Sequence, residues 1–241
     1  MARQLIVNAD DFGRSAAINA GIVHAHQHGI VTSASLMVRY EHAAEAAAYA
    51  NAGNAGKAAR PLSLGLHLDL AEWEYVDDEW RPRYLVVDTD DEAAVEGEVT
   101  AQIDAFIALA GRPPTHLDSH QHVHRSEPVR SVVAAAADRL AVPVRDMTAR
   151  IRYRGDFYGQ DARGYPVPDA ITAAALLELL DRLPEGTTEL GCHPGLGPVD
   201  DVYGAEREIE TSSLCEPAVR AAVDRLGIRL RSFADVDAAD G

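Results

Sequence analysis

At 241 residues, 47% of them hydrophobic and 25% charged, the chain has a globular composition and enough length to bury a sizeable core. A net charge of −16 argues against a nucleic-acid backbone or an anionic membrane as the main partner, because both require clustered Lys and Arg. No apolar run approaches the roughly 20 residues of a membrane span, and two cysteines, Cys192 and Cys215, cannot build a disulfide framework. With no long apolar leader before the first strand, the cytoplasm is the expected location.

Strand-like and helix-like segments alternate from end to end. Strands are expected over 4–9, 31–38, 62–70, 115–119, 142–146, 187–192 and 228–233, and helices over 15–28, 41–52, 91–110, 127–140, 169–182 and 213–226. Ser15 before an Ala-Ala-Ile run and Ser126-Glu127-Pro128 before an alanine-rich run are start signals, and acids at 90–92 suit a helix N-terminus. Seven strands separated by helices imply a parallel α/β sheet with right-handed crossovers. Alternation leaves open whether that sheet closes into a barrel. With no internal repeat and no linker, residues 1–241 read as a single domain.

Two stretches, 71–90 and 151–168, break the alternation and read as loop insertions. They hold eight of the chain's 14 aromatics, among them Trp73, Tyr75, Trp80, Tyr153, Tyr158 and Tyr165. Such rings form a platform for a ligand, sugar faces included, or cap the sheet, or make a subunit contact, so a homodimer is allowed for.

The chemistry gathers at strand ends. The first strand stops in Asp10-Asp11-Phe12-Gly13, two adjacent acids whose repulsion needs an explanation. The third stops after His67, and the sixth in Cys192-His193-Pro194-Gly195, where Pro and Gly force a turn. Between them, Thr115 to His124 carries His116, His120, His122 and His124, four of the chain's ten histidines. His120 and His124 share a face in either an extended or a helical backbone. In a parallel α/β fold all these ends share one rim, where ligands bind. Two acids and three imidazoles delivered there form a mononuclear metal constellation with acid–base groups left over. Imidazoles together with carboxylates suit Zn²⁺ or Co²⁺ on ligand softness. His24, His26, His28 and His42 read as surface residues, Cys192 as a buried structural thiol, and Lys57, the chain's single lysine, as remote from the rim.

The order of these motifs resembles the YdjC-like carbohydrate deacetylase family: Asn8-Ala9-Asp10-Asp11-Phe12-Gly13, Gly29 to Ser35, Gly65-Leu66-His67-Leu68, Gly111 to His124, and Cys192-His193-Pro194-Gly195. The resemblance spans nearly the whole chain. It implies a (β/α) barrel related to polysaccharide deacetylases, seven-stranded here and so incomplete or distorted, that removes N-acetyl groups from amino sugars or chitooligosaccharides. It further implies one divalent metal, Mg²⁺, on Asp11, His67 and His120, with Asp10 as catalytic base and His193 as catalytic acid. His124, Trp73 and Tyr158 are the expected substrate contacts, His124 alternatively a support behind the ligands. The competing readings are a metal-dependent phosphoesterase on the same rim and a sugar-binding protein without catalysis.

Overall fold

The computed structural model describes residues 2–53 and 61–236. Lys57 lies outside them. The chain begins with β1 (Arg3–Phe12), buried from Leu5 onward, followed by α1 (Ala16–His28), whose first turn is capped by Ser15 accepting from the Ile18 N–H. Then come β2 (Ser33–Leu36), α2 (Ala43–Ala52), β3 (Ser63–Leu68), and an antiparallel hairpin of β4 (Ala71–Val76) and β5 (Glu79–Leu85). The middle of the chain holds α3 (Glu92–Ala110), β6 (Leu117–Ser119), a 3-10 segment over His120–Arg125, α4 (Val129–Leu140) and β7 (Ile151–Arg154). It closes with α5 (Ala173–Asp181), β8 (Gly186–Cys192), α6 (Glu206–Cys215), α7 (Pro217–Arg225) and β9 (Arg229–Arg231).

The main sheet is parallel and runs β6-β3-β2-β1-β8-β7, with β9 paired to the start of β1, where β2 does not reach. β1 is central and buried on both faces from Leu5 onward, which is why its sequence is a continuous apolar run rather than an alternating one. Helix faces cover the sheet. On α3, Val95, Val99, Ile103 and Phe106 form one buried stripe, and Asp91 and Gly111 cap its two ends. The core is mainly aliphatic. No helix among the described residues is long and apolar enough to cross a membrane.

The sheet is curled. Arg145, beside the bridge that Val144 makes to Leu117, reaches Asp10 on β1, Asp118 on β6 and Glu189 on β8. Since three strands (β3, β2 and β1) lie between β6 and β8, one side chain can meet both only across the inside of a barrel. Between Val144 and β7 no strand pairing closes the circle among the described residues, and the guanidinium of Arg145 under the Tyr153 ring (4.9 Å) spans that seam instead. The incomplete (β/α) barrel expected from the sequence is the fold.

Several expected elements differ. The strand over 142–146 shrinks to one bridge, because Pro143 offers no N–H and the backbone turns left-handed at Ala141 and Asp146 (φ 53 and 58). The insertion at 71–90 is a hairpin, turned at Asp77-Asp78 with φ 53 and 63, and that at 151–168 opens with β7. The helix over 213–226 is two helices broken at Glu216-Pro217, the first starting at Glu206. The helix over 169–182 is preceded by a 3-10 turn at Pro168–Ile171. His26 is buried (4% exposed) with Nδ1 2.8 Å from the Tyr49 hydroxyl, contrary to its reading as a surface residue. It falls on the α1 stripe of Ile18, Ile22 and Ala25; His24 and His28 are exposed.

Candidate active site

Successive side chains of a regular strand point to opposite faces, so Asp10 and Asp11 would ordinarily part company. Here the β1–β2 register shifts between Ala9 and Phe12, and Asp11 takes a left-handed backbone (φ 66) that a short polar residue tolerates. The bulge delivers both carboxylates to the same cleft, 2% and 1% exposed. Gly13 (φ 94) then turns the chain toward α1, where a Cβ would stand 2.9 Å from the Ala43 Cα.

The two acids have different surroundings. Both oxygens of Asp10 are gripped by Arg145 (Nη1 to Oδ2 2.6 Å, Nη2 to Oδ1 2.7 Å), and Asn8 Nδ2 donates to Oδ1 at 2.9 Å. Burial works against its charge, but Arg145 outweighs burial and holds the carboxyl below the usual range. Asp11 receives Arg207 Nη2 on Oδ2 at 2.6 Å, and that guanidinium is itself fixed by Asp201 at 2.7 Å. Its other oxygen, Oδ1, accepts no hydrogen bond although it is buried. Around that oxygen stand His120 Nδ1 at 3.3 Å and His67 Nε2 at 3.5 Å.

The supporting contacts orient these rings. His67 Nδ1 lies 2.8 Å from Asp118 Oδ1, so the ring donates there and turns Nε2 toward Asp11. Asp118 in turn accepts from Ser35 Oγ (2.6 Å) and pairs with Arg145 (2.9 Å). His120 Nε2 is 3.8 Å from Glu72, a buried carboxylate of β4 held by Arg14 through two bonds of 2.8 and 3.0 Å. Burial disfavours a charged His67, yet Asp118, Asp10 and Asp11 prevail and push it up to about 9. The place attracts positive charge.

Asp11, His67 and His120 offer one carboxylate oxygen and two ring nitrogens within 4.8 Å of one another. A divalent cation fits this donor set, because it satisfies the unpartnered Asp11 Oδ1 and leaves room for water, as catalytic sites do. Asp10, His67 and Asp118 are equally close together. Their oxygens and His67 Nδ1 are already committed to Arg145, Asn8, Ser35 and each other.

His193 stands across the cleft with Nε2 3.7 Å from Asp10 Oδ2 and Nδ1 3.8 Å from Glu210, and its backbone N–H donates to Glu210. Tyr158 and Tyr203, stacked at 4.6 Å, flank its ring at 5.3 and 5.2 Å. Burial opposes its charge, while Glu210 and Asp10 raise its pKa above the ordinary value.

Five of the expected residues, Asp10, Asp11, His67, His120 and His193, thus meet in one cleft of about 1170 Å³. Trp73 and Tyr158 line it as well. His124 does not. Left-handed backbone at Gln121 and His122 (φ 48 and 56) breaks the face it was expected to share with His120. Fully buried, it has Nδ1 2.6 Å from Ser119 Oγ and Nε2 3.2 Å from the carbonyl of Arg145, behind the cleft. Sequence reasoning gave no role to Arg145, Arg207, Arg14, Glu72 or Glu210. Only Arg145, at the end of an expected strand, carried the signal used for the others.

Residues 4–225 match the profile of the family described as YdjC-like protein. The chain is 32% identical to a carbohydrate deacetylase of Geobacillus stearothermophilus over 97% of this chain and 98% of that one. It is 30% identical to a chitooligosaccharide deacetylase of Salmonella schwarzengrund, covering 98% and 100%. Among solved structures, a protein of Enterococcus faecalis provisionally named for cellobiose-phosphate cleavage superposes with a TM-score of 0.75 at 26% identity, covering 97% and 98%. A family 4 carbohydrate esterase of Streptomyces lividans shares the fold at a TM-score of 0.54 and 13% identity, covering 95% and 91%.

Proposed function

Because the chain belongs to the YdjC-like family, we propose that it is a metal-dependent carbohydrate deacetylase, hydrolysing the N-acetyl group of amino sugars or chitooligosaccharides to a free amine and acetate. The observation that carries this reading is the unequal treatment of two neighbouring carboxylates: Asp11 keeps an unpartnered oxygen between two imidazoles, while Asp10 is held ionised beside the cleft.

A divalent cation on Asp11, His67 and His120 supplies Lewis-acid polarisation of the acetyl carbonyl and lowers the pKa of a bound water. Two imidazoles and one carboxylate favour Zn²⁺ or Co²⁺ on softness, against the Mg²⁺ that the family resemblance implies, and elemental analysis of the purified protein decides between them. Asp10 is the general base: it accepts the proton of the attacking water as the water oxygen bonds to the acetyl carbon. Arg145, bonded to both of its oxygens, fixes where that proton is received. His193 is the general acid and gives its proton to the sugar nitrogen as the C–N bond breaks, since an amide nitrogen leaves poorly until protonated. Its raised pKa supports a ring that carries the needed proton. Tyr158, beside His193, and Trp73, on the cleft wall, hold the sugar ring. We read residues 1–241 as one catalytic domain. Both cysteines are free thiols, which supports a reducing, cytoplasmic setting.

The name of the Enterococcus relative raises phosphoester chemistry as the second reading. Against it, Arg14 and Arg207, the arginines beside the reacting groups, are already committed to Glu72, Asp11 and Asp201, Arg125 pairs with Asp146, and Arg163 stands away from them over the Tyr75 ring. Acetate release from a panel of N-acetylated sugars, lost with chelator and restored by added metal, tests the proposal. Phosphate release from a phosphoester panel without acetate release overturns it.

A further inference from the structure

The hairpin β4–β5 and the segment after β7 approach one another at the outer end of the cleft. Tyr75 and Trp80 are register partners on either side of the Asp77-Asp78 turn, with ring centroids 5.5 Å apart at 66°. From the other insertion Tyr165 meets Tyr75 at 6.5 Å, and the Arg163 guanidinium lies 5.9 Å over the same ring. Tyr75, Trp80 and Arg163 line the same cleft as Asp10 and Asp11. Yet Trp80 and Tyr165 are 51% and 54% exposed, so their faces are not spent on the core. An edge-on contact occupies at most one face of one ring, and Trp80, half exposed, keeps apolar surface in solvent at the cleft mouth, which marks a binding surface.

Its distance from the reacting groups says what it binds. Glu72 stands beside His120, and Tyr75 follows three residues along β4, roughly 10 Å further out at strand rise. One pyranose ring does not span that gap. The cleft, at about 1170 Å³, also exceeds what a single N-acetyl sugar fills.

Building on the deacetylase reading, we infer that Tyr75 and Trp80, buttressed by Tyr165 and Arg163, form a distal subsite that stacks a sugar ring beyond the one being deacetylated, with Trp80 setting the preference for chain length. Trp80 touches no reacting group and acts through binding alone.

The test uses the metal-loaded full chain and Trp80→Ala, with Trp80→Phe as the variant that retains a stacking face. Acetate release is measured on N-acetylglucosamine and on its β-linked dimer, trimer and tetramer. Expected is a fall of about tenfold in kcat/KM on the tetramer for Trp80→Ala, carried by KM, with unchanged turnover of the monosaccharide and substantial recovery in Trp80→Phe. An equal loss at every length, or no loss on the tetramer, overturns the subsite. Calorimetric titration of the chelated protein with the same sugars separates the two proposals. If the wild type releases no acetate but binds the tetramer more tightly than the monosaccharide, and Trp80→Ala abolishes that difference, the subsite stands and the deacetylase reading fails.

Discussion

Arg145 has no exposed side-chain surface and is bound at once by Asp10, Asp118 and Glu189, each within 2.9 Å. Arg81, near the hairpin tip, leaves 52% of its side chain in solvent and reaches Asp77 and Glu79 only at 3.4 and 3.6 Å. The first arrangement is a buried network in which each charge depends on the others. The second is a set of screened surface pairs worth little apiece. The proposed chemistry sits where the charges cannot move without loss, and the proposed distal subsite sits where they can. The interior should therefore respond to single substitutions with loss of turnover or of fold, and the rim with changes in affinity.

The sharpest break is Asp10→Asn, which keeps the side chain's size but removes the proposed base. The expected result is a loss in kcat of about 10²–10⁴-fold with the metal still bound, read by acetate release and elemental analysis of one preparation. Full activity in that variant would sink the assigned role. His67→Ala and His120→Ala break the other half of the site: metal content falls below one per chain, and the rise in melting temperature that added metal gives the wild type disappears. Arg145→Met tests the network itself. It leaves three carboxylates without their cation and should cost about 3–5 kcal/mol in denaturant unfolding. A cost near zero would mean that the carboxylates find other partners. Smallest of all is Gln121→Ala. Gln121 binds both the N–H and the carbonyl of Trp73 (2.8 and 2.7 Å) and so ties the hairpin to the loop of His120. Its removal should raise KM severalfold while kcat holds; a fall in kcat instead would place the hairpin within the chemical step.

The division between interior and rim also describes what the sequence made legible. The parallel α/β sheet follows from apolar runs such as Leu5-Ile6-Val7 alternating with capped helices, its curling into a barrel only from the family resemblance, and the meeting of Asp11, His67, His120 and His193 from the rule that strand ends converge. Arg145 obeys the same rule, but its importance comes from partners on three distant strands, which no pattern within its own segment reveals. Arg207 and Glu210 sit on a helix whose beginning no cap announces, since Ala205 provides no side-chain bond. The hairpin hid behind an Asp-Asp turn where Asn-Gly or Asp-Gly is the stronger signal. His26 was legible after all: its spacing from Ile18 and Ile22 is that of a core position. His124 shows the limit in the other direction, since no residue pattern announces two consecutive left-handed residues at Gln121 and His122.

The bulge at Asp11 limits how this chain can change. β8 pairs with β1 only as far as Ala9, while β2 pairs with it at Ala9 and again at Phe12, so the extra residue is pinned at both ends by β2. Deleting one residue there restores the pleat and leaves a single acid in the cleft, on the face that Asn8 shares. On the proposed roles, substitution removes proton transfer or cation binding separately, whereas shortening the strand takes one of the two carboxylates away from the cleft and with it the sharing of both tasks by one short stretch of backbone.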